Sequence, residues 1–324
     1  MFKLAKLFFI TCETPMHAGS GSDLGIVDLP IQREKHTGFP KIESSSLKGC
    51  LREAFEEYAG IVKEESARVK EKVKIHLAFG YDKVSEGDDK VKKPIEKGSD
   101  EDTFSGALGF TDARLLLFPV KSMKGVFAYI TCQEVLKKFQ KELKLCEIEL
   151  VLGESPVPAG KCVVSDREYI AIEQDTVILE EYAFTVSDET KMDIPALVSK
   201  LEVWTGNTDV RKKLVILSED DFKDFVNLST EVITRTKIDN ETGTVAGGAL
   251  FTEEYLPAES VLYSLALANP VFMKNKNGLP LQDEKSVMKF FQEGISEKVI
   301  QIGGNATIGK GIASIRVIDG GDKS

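Results

Sequence analysis

The opening stretch FKLAKLFFIT is a mostly apolar run broken only by Lys3 and Lys6, and it predicts a first strand. After a loop, Leu47, Cys50, Leu51, Ala54, Phe55 and Tyr58 fall at helical spacing behind Ser44-Ser45-Ser46, a run that offers an N-cap. A second helical run covers about 62–79. Residues 82–103 carry almost no core-forming side chains, which predicts a mobile surface insertion. Beyond it, SGALGFTDARLLLFPV and GVFAYITC read as two strands joined by the basic turn KSMKG, and QEVLKKFQKELK reads as an amphipathic helix. Residues 147–187, rich in β-branched side chains, predict short strands, and helical patterns return at 194–203 and 219–228. In TEVITRTKIDNETGTVAGGALFTEEYLP two β-branched runs flank DNETG, which predicts a hairpin. SVLYSLALA then reads as a buried strand, EKSVMKFFQEGISEKVI as a helix and ASIRVI as a closing strand. The order predicts an α+β sandwich of ferredoxin-like type with large insertions and no clean interdomain linker.

Composition narrows the chemistry. At 324 residues, 42% hydrophobic and 29% charged, the chain has the make-up of a soluble globular protein. Its N-terminal run is not followed by a small-residue cleavage site, so an intracellular, cytoplasmic location is expected. Cys12, Cys50, Cys132, Cys146 and Cys162 contain no C-x-x-C pair and are expected as free thiols. With only His17, His36 and His76, a zinc site of the usual Cys/His kind lacks ligands. Any metal is expected to be a hard cation on carboxylates and phosphates. The net charge of -10 argues against a nucleic-acid partner, but residues 82–102 hold eight acids against five bases, whereas 17–52 hold four against five. A groove responds to its local field rather than to the total.

Four stretches carry candidate chemistry. GGNATIGKGIASIRVI matches G-x-x-x-x-G-K at Gly304, Gly309 and Lys310. It then places Gly311 where a Ser or Thr must hold Mg²⁺, and it continues as a strand where a phosphate-binding loop needs a helix. Nucleotide hydrolysis is excluded. What survives is a loop whose amides, with Gly303, Gly304 and Lys310, could cradle phosphates, or a plain glycine-rich turn before an edge strand. SSSLKGCLREAF places Ser45 and Ser46 at a helix start with Lys48 and Arg52 one turn apart, a candidate phosphate seat. The commoner origin of such a pattern is a capped helix with solvated charges. HAGSGSDLGIVDLPIQREKHTGFP supplies His17, Asp23, Asp28 and His36 as candidates for proton transfer or metal binding, and Arg33 as an RNA-binding candidate. The hairpin adds Arg235 and Lys237, then Glu253, Glu254 and Tyr255, a set that a charged strand face would also explain.

Together and in this order, HAGSGSDLGIVDLPIQREKHTGFPKIESSSLKGCLRE, GALGFTDARLLLFPVKSMKGVFAYITC, TKIDNETGTVAGGALFTEEYLP and IQIGGNATIGKG resemble the repeated backbone subunit of type III-B (Cmr-type) CRISPR effector complexes, a member of the RAMP superfamily. The resemblance implies one RAMP domain over 1–324, with a modified RRM/ferredoxin-like core, a lid insertion (82–103) and a β-hairpin thumb (230–257). It implies head-to-tail copies along a CRISPR RNA, each covering six nucleotides, beside other Cmr-type subunits. It further implies divalent-metal-dependent cleavage of guide-paired, single-stranded target RNA at each displaced base, with Mg²⁺ the first candidate. On the family's pattern the catalytic and metal-binding aspartate falls on Asp28, and His17, Glu253 and Tyr255 fall near the same phosphate. Lys48 and the loop around Lys310 would hold the guide. The rival readings are a non-catalytic guide-binding scaffold and a hydrolase of a small substrate active as a monomer.

Overall fold

The computed structural model describes residues 2–22, 25–96, 102–239 and 241–318, without the side chains of residues 174, 237 and 246–249. Asp23 and part of the acidic insertion, residues 97–101, lie outside the described residues. The chain begins with β1 (Leu4–Cys12), a long loop, β2 (Lys41–Ile42), α1 (Ser44–Gly60), α2 (Glu65–Phe79), β3 (Gly80–Asp82), α3 (Asp89–Glu96) and β4 (Thr103–Ser105). Next come β5 (Leu108–Phe110), β6 (Ala113–Lys121), β7 (Phe127–Cys132), α4 (Gln133–Leu143), β8 (Lys161–Val164), α5 (Arg167–Ile170), β9 (Thr176–Leu179), β10 (Tyr182–Val186), α6 (Ile194–Thr205), α7 (Val210–Lys213) and β11 (Leu214–Leu217). The last third holds α8 (Glu219–Leu228), β12 (Glu231–Ile238), β13 (Val245–Tyr255), β14 (Val261–Ala268), α9 (Glu284–Ile295), β15 (Lys298–Gln301) and β16 (Ile312–Val317).

Twelve strands form one mixed sheet, in the order β15-β16-β1-β14-β6-β7-β11-β8-β10-β9, with β2 on β6 and β5 on β14. Only the β7–β11 and β8–β10 pairs are parallel. Leu7, Phe8, Phe9 and Ile10 of β1 are all buried, because helices cover both faces of the sheet at this strand. Phe8 packs edge-on against Phe110 and Phe291, the latter from α9, while Phe9 meets Phe139 of α4 and Trp204 of α6. A strand covered on both sides reads as a continuous apolar run instead of an alternation, which is the LFFI pattern. Each such ring contributes about 1.5–3 kcal/mol of burial.

Three expectations need correction. The helix read from EKSVMKFFQEGISEKVI stops at Ile295: Ser296 takes extended angles, Glu297 is left-handed at φ 58°, and the chain turns into β15, which pairs antiparallel with β16. The insertion at 82–103 does contain core residues, since Val91 and Ile95, one turn apart on α3, are 0% and 1% exposed. The three serines are not the N-cap of α1. Glu43 holds that position, and the Ser44 amide donates to Asp112 Oδ1 at 3.0 Å.

The predicted hairpin is present as β12 and β13, paired antiparallel from Glu231↔Tyr255 to Ile238↔Val245. Asp239 Oδ1 accepts the amides of Glu241 and Thr242, both at 2.9 Å, and Gly243 takes φ 68°, so the turn chemistry is that expected of DNETG. No helix among the described residues is long and apolar enough to cross a membrane.

Candidate active site

The long loop after β1 runs out along Met16–Ser20 and returns as a strand-like segment beside it. The Gln32 amide donates to Ala18 O at 2.8 Å and the Ser20 amide to Pro30 O at 3.0 Å. The returning limb lies parallel to β13: the Leu29 amide donates to Thr252 O and the Glu254 amide to Leu29 O, each at 3.0 Å. The base of the hairpin and the loop therefore form one hydrogen-bonded unit.

Glu253 is the centre of that unit. It is 4% exposed, and Tyr255, two residues along and so on the same strand face, is 0% exposed. Glu253 Oε2 accepts from Arg235 Nε at 2.7 Å and from Tyr255 OH at 2.5 Å, while Oε1 accepts from Asn305 Nδ2 at 2.6 Å. Arg235 reaches it diagonally across the β12–β13 pair and also donates to the Tyr255 hydroxyl. Burial works to raise the Glu253 pKa, but the donors Tyr255, Asn305 and Arg235, with His17 nearby, outweigh it and hold the carboxylate below its usual range.

His17 completes the cluster from the outgoing limb. Its Nδ1 lies 2.7 Å from the Glu254 carbonyl, so Nδ1 carries the proton, and Nε2 stands 3.6 Å from Glu253 Oε1. Gly19 makes room for the ring, since a Cβ there would fall 2.6 Å from His17 Nε2. Lys310 Nζ sits 4.8 Å from the centre of the Tyr255 ring.

Asp28 stands outside this cluster and is exposed. Its Oδ2 accepts the Thr252 amide at 2.7 Å and the Thr252 hydroxyl at 2.9 Å, and these bonds keep its pKa below the usual carboxylate value. Among the described residues no donor reaches Oδ1. Thr252 directly precedes Glu253, so adjacent residues of β13 hold the exposed carboxylate of Asp28 and supply the buried one.

Among the described residues no group of three or more His, Cys, Asp and Glu side chains is arranged to hold a metal ion. Glu253 is unsuited to the task, because its oxygens are already taken by three donors. Mg²⁺ is usually bound by one or two carboxylates plus substrate phosphates, so Asp28 fits such a cation in company with phosphate oxygens.

Several RNA-binding candidates have partners within the chain. Arg33 donates from Nη1 to Gly38 O at 2.9 Å, Val226 O at 3.0 Å and Asn227 Oδ1 at 2.9 Å, and from Nη2 to buried Glu254, so it clamps the loop to α8 and the hairpin. In the glycine-rich loop several amides are already bonded within the chain. Gly304 donates to His17 O at 2.9 Å, Gly309 to Ala306 O at 3.0 Å, Lys310 to Asn305 O at 3.2 Å and Gly311 to Pro15 O at 2.9 Å. Gly303 is needed because a Cβ there would fall 2.2 Å from the His17 carbonyl. The helix start at Ser45 and Ser46 is likewise partly engaged, by Asp112 at Ser44 and by Gln32 Nε2, which reaches Ser46 Oγ at 3.3 Å.

Lys48 and Arg52 do come together, at the wall of a cleft of about 770 Å³ bounded by α1, α2 and the β3–β4 pair. Lys48 Nζ donates to Leu108 O at 3.1 Å and has no carboxylate partner among the described residues. Burial, then the Arg52 charge, lowers its pKa. Arg52 pairs with Glu56 at 2.7 Å. His36 is exposed and apart from the cluster, 3.8 Å from Glu34. The Lys237 side chain lies outside the described residues.

Sequence reasoning missed Asn305 as a partner of Glu253 and Thr252 as a partner of Asp28. An asparagine set among glycines was the one available signal for Asn305, since both residue types tolerate left-handed backbone.

The sequence model of the RAMP superfamily matches residues 9–314. Over 305 residues the chain is 37% identical to the CRISPR system Cmr endoribonuclease Cmr4 of Pyrococcus furiosus, covering 93% of this chain and 92% of that one. It is 26% identical to the CRISPR system CMR subunit Cmr4 of Saccharolobus solfataricus, with 97% of each chain covered. The crystal structure of oligomeric Cmr4 from P. furiosus superimposes with a TM-score of 0.67 at 29% identity, covering 97% of this chain and 98% of that one. The chain belongs to the RAMP superfamily, among the relatives of Cmr4.

Proposed function

We propose that the protein is a guide-RNA-binding backbone subunit of a type III-B CRISPR effector complex and cleaves the guide-paired target RNA. The observation that carries this reading is the exposed, ionised Asp28 carboxylate, anchored by one oxygen to Thr252 and open at the other, in a chain 37% identical to a named endoribonuclease. On this reading copies stack head to tail with other Cmr-type subunits in the cytoplasm. The hairpin is the thumb of an RRM-like core, the 82–103 segment is its lid, and the thumb displaces one base every six nucleotides.

RNA brings its own nucleophile. Unstacking one nucleotide lets the 2′-oxygen approach the adjacent phosphorus in line. The 2′-oxygen forms the new bond to phosphorus as the 5′-oxygen leaves, giving a 2′,3′-cyclic phosphate and a 5′-hydroxyl. Asp28 Oδ1 orients the 2′-hydroxyl or holds a divalent cation, Mg²⁺ being the first candidate. When bound, that cation supplies charge neutralisation at the scissile phosphate. His17 takes the 2′-hydroxyl proton at Nε2, the nitrogen left free by the Glu254 carbonyl, Glu253 stabilises the imidazolium, and the departing 5′-oxygen takes its proton from solvent. Tyr255 is too deeply buried to meet a phosphate, so its role is to hold Glu253. Lys48 and Arg52 grip backbone phosphate, and sequence is read by base pairing.

An end-labelled target RNA incubated with the reconstituted complex is expected to give a ladder at six-nucleotide spacing, and single 2′-deoxy substitutions at the cut positions are expected to erase the corresponding bands. Equal cutting of the deoxy-substituted target would overturn the mechanism. An absence of cutting by the wild-type complex would favour the scaffold reading.

A further inference from the structure

We propose that Asn305 is a positioning residue for target cleavage, holding the Glu253 oxygen that faces His17. The inference rests on the cleavage reading above and extends it to a residue whose side chain is bonded within the chain.

Asn305 lies in the β15–β16 loop with φ 66° and ψ 30°, left-handed backbone that asparagine and glycine tolerate. Its carbonyl accepts the amides of Ile308 at 3.1 Å and Lys310 at 3.2 Å, and the neighbouring Gly304 amide is bonded to His17 O, so the backbone beneath the side chain is fixed to the loop that carries His17. The side-chain amide then spans the two buried acidic groups, with Nδ2 2.6 Å from Glu253 Oε1 and 3.0 Å from Tyr255 OH. The opposite amide orientation would set oxygen against a carboxylate, so the nitrogen is the atom that fits.

The two Glu253 oxygens are divided between partners. Arg235 and Tyr255 occupy Oε2, which leaves Asn305 as the hydrogen-bond donor on Oε1, the oxygen 3.6 Å from His17 Nε2. Without it the carboxylate is held through Oε2 alone, and the oxygen that faces His17 loses its own hydrogen-bond donor. The charged and titratable groups facing Glu253 are Arg235 from β12, Tyr255 on β13 and His17 from the outgoing limb, with Lys310 over the Tyr255 ring. Asn305 is the donor beside them that does not titrate.

The test uses the full reconstituted complex with guide RNA, comparing wild type, Asn305→Gly, Asn305→Asp and Asp28→Asn in single-turnover cleavage across pH, alongside target affinity. Glycine keeps the left-handed backbone and removes only the amide, whereas alanine would add strain. Asn305→Gly is expected to cut about tenfold more slowly, with target affinity within about twofold. The acid limb of its rate profile is expected to move to higher pH, because a donor that favours ionised Glu253 is gone. Asn305→Asp, which sets a carboxylate against Glu253, is expected to move both further. Wild-type rates and profile in Asn305→Gly overturn the proposal, and so does a rate loss that tracks weaker target binding with an unmoved acid limb. If Asp28→Asn is inactive while Asn305→Gly is normal, this inference alone fails. If wild type does not cut, the cleavage reading fails with it.

Discussion

Arg33 and Lys48 illustrate how little a residue's type says until its partners are known. Both are basic residues in a segment that holds four acids against five bases, and both were RNA-binding candidates on sequence. The Arg33 guanidinium is occupied by two carbonyls, an asparagine and the buried Glu254. The Lys48 ammonium has one carbonyl and a cleft in front of it. Arg33→Ala is therefore expected to lower unfolding stability by about 2–3 kcal/mol, because it leaves Glu254 buried without its cation, and to leave the salt dependence of guide binding unchanged. Lys48→Ala is expected to do the reverse, reducing the magnitude of the log Kd against log salt slope by about one with little effect on the denaturation midpoint. Denaturant titration and binding at several salt concentrations check both, and exchanged effects would contradict the assignment. Asp28 was singled out by the resemblance to the family's pattern, since the residues alone left it beside Asp23, His17 and His36 as one candidate among several. Its partner Thr252 was not, because a threonine in a β-rich run carries no local mark of a contact more than two hundred residues away.

At the scale of elements, strong periodicity was readable and context-dependent segments were not. β1, the β6–β7 pair, β14 and the hairpin follow their apolar and turn patterns closely. β15 was hidden because KVI follows a helical run without a glycine or proline between them, and only the left-handed Glu297 breaks the helix. α3 was hidden because two apolar side chains, Val91 and Ile95, anchor eight otherwise polar residues against α2. The glycine-rich segment was read as a cradle or a turn, and several of its amides are bonded within the chain. Its glycines serve close approach, letting the loop lie against the His17 backbone so that Asn305 reaches Glu253. The loop and the hairpin base thus depend on each other: Glu254 ties Ile31 and Thr230 together, and His17 ties its ring to the Glu254 carbonyl.

At the scale of the whole molecule, the acids that secure these joints set the response to pH. In Asp112, burial is outweighed by Lys41 and the Ser44 amide, and in Glu253 by Tyr255, Asn305 and Arg235, so both pKa values are lowered on folding. A carboxylate lowered on folding adds stability above its unfolded pKa and loses that contribution as pH falls through the folded value. The urea midpoint is expected to hold steady from neutral pH down to about pH 5 and to fall below about pH 4. A midpoint unchanged at about pH 3 would contradict this linkage. The sheet order, with β16 beside β1 and β14 between β1 and β6, draws residues from both ends of the chain and from its middle to one site, an arrangement that no local pattern encodes. The central claim is that Asp28 cuts the paired target within an assembled particle. Complexes reconstituted with Asp28→Asn, matched to wild type in subunit composition and guide content, should bind target equally and cut it at least about a hundredfold more slowly. Wild-type cutting by such complexes would contradict the account.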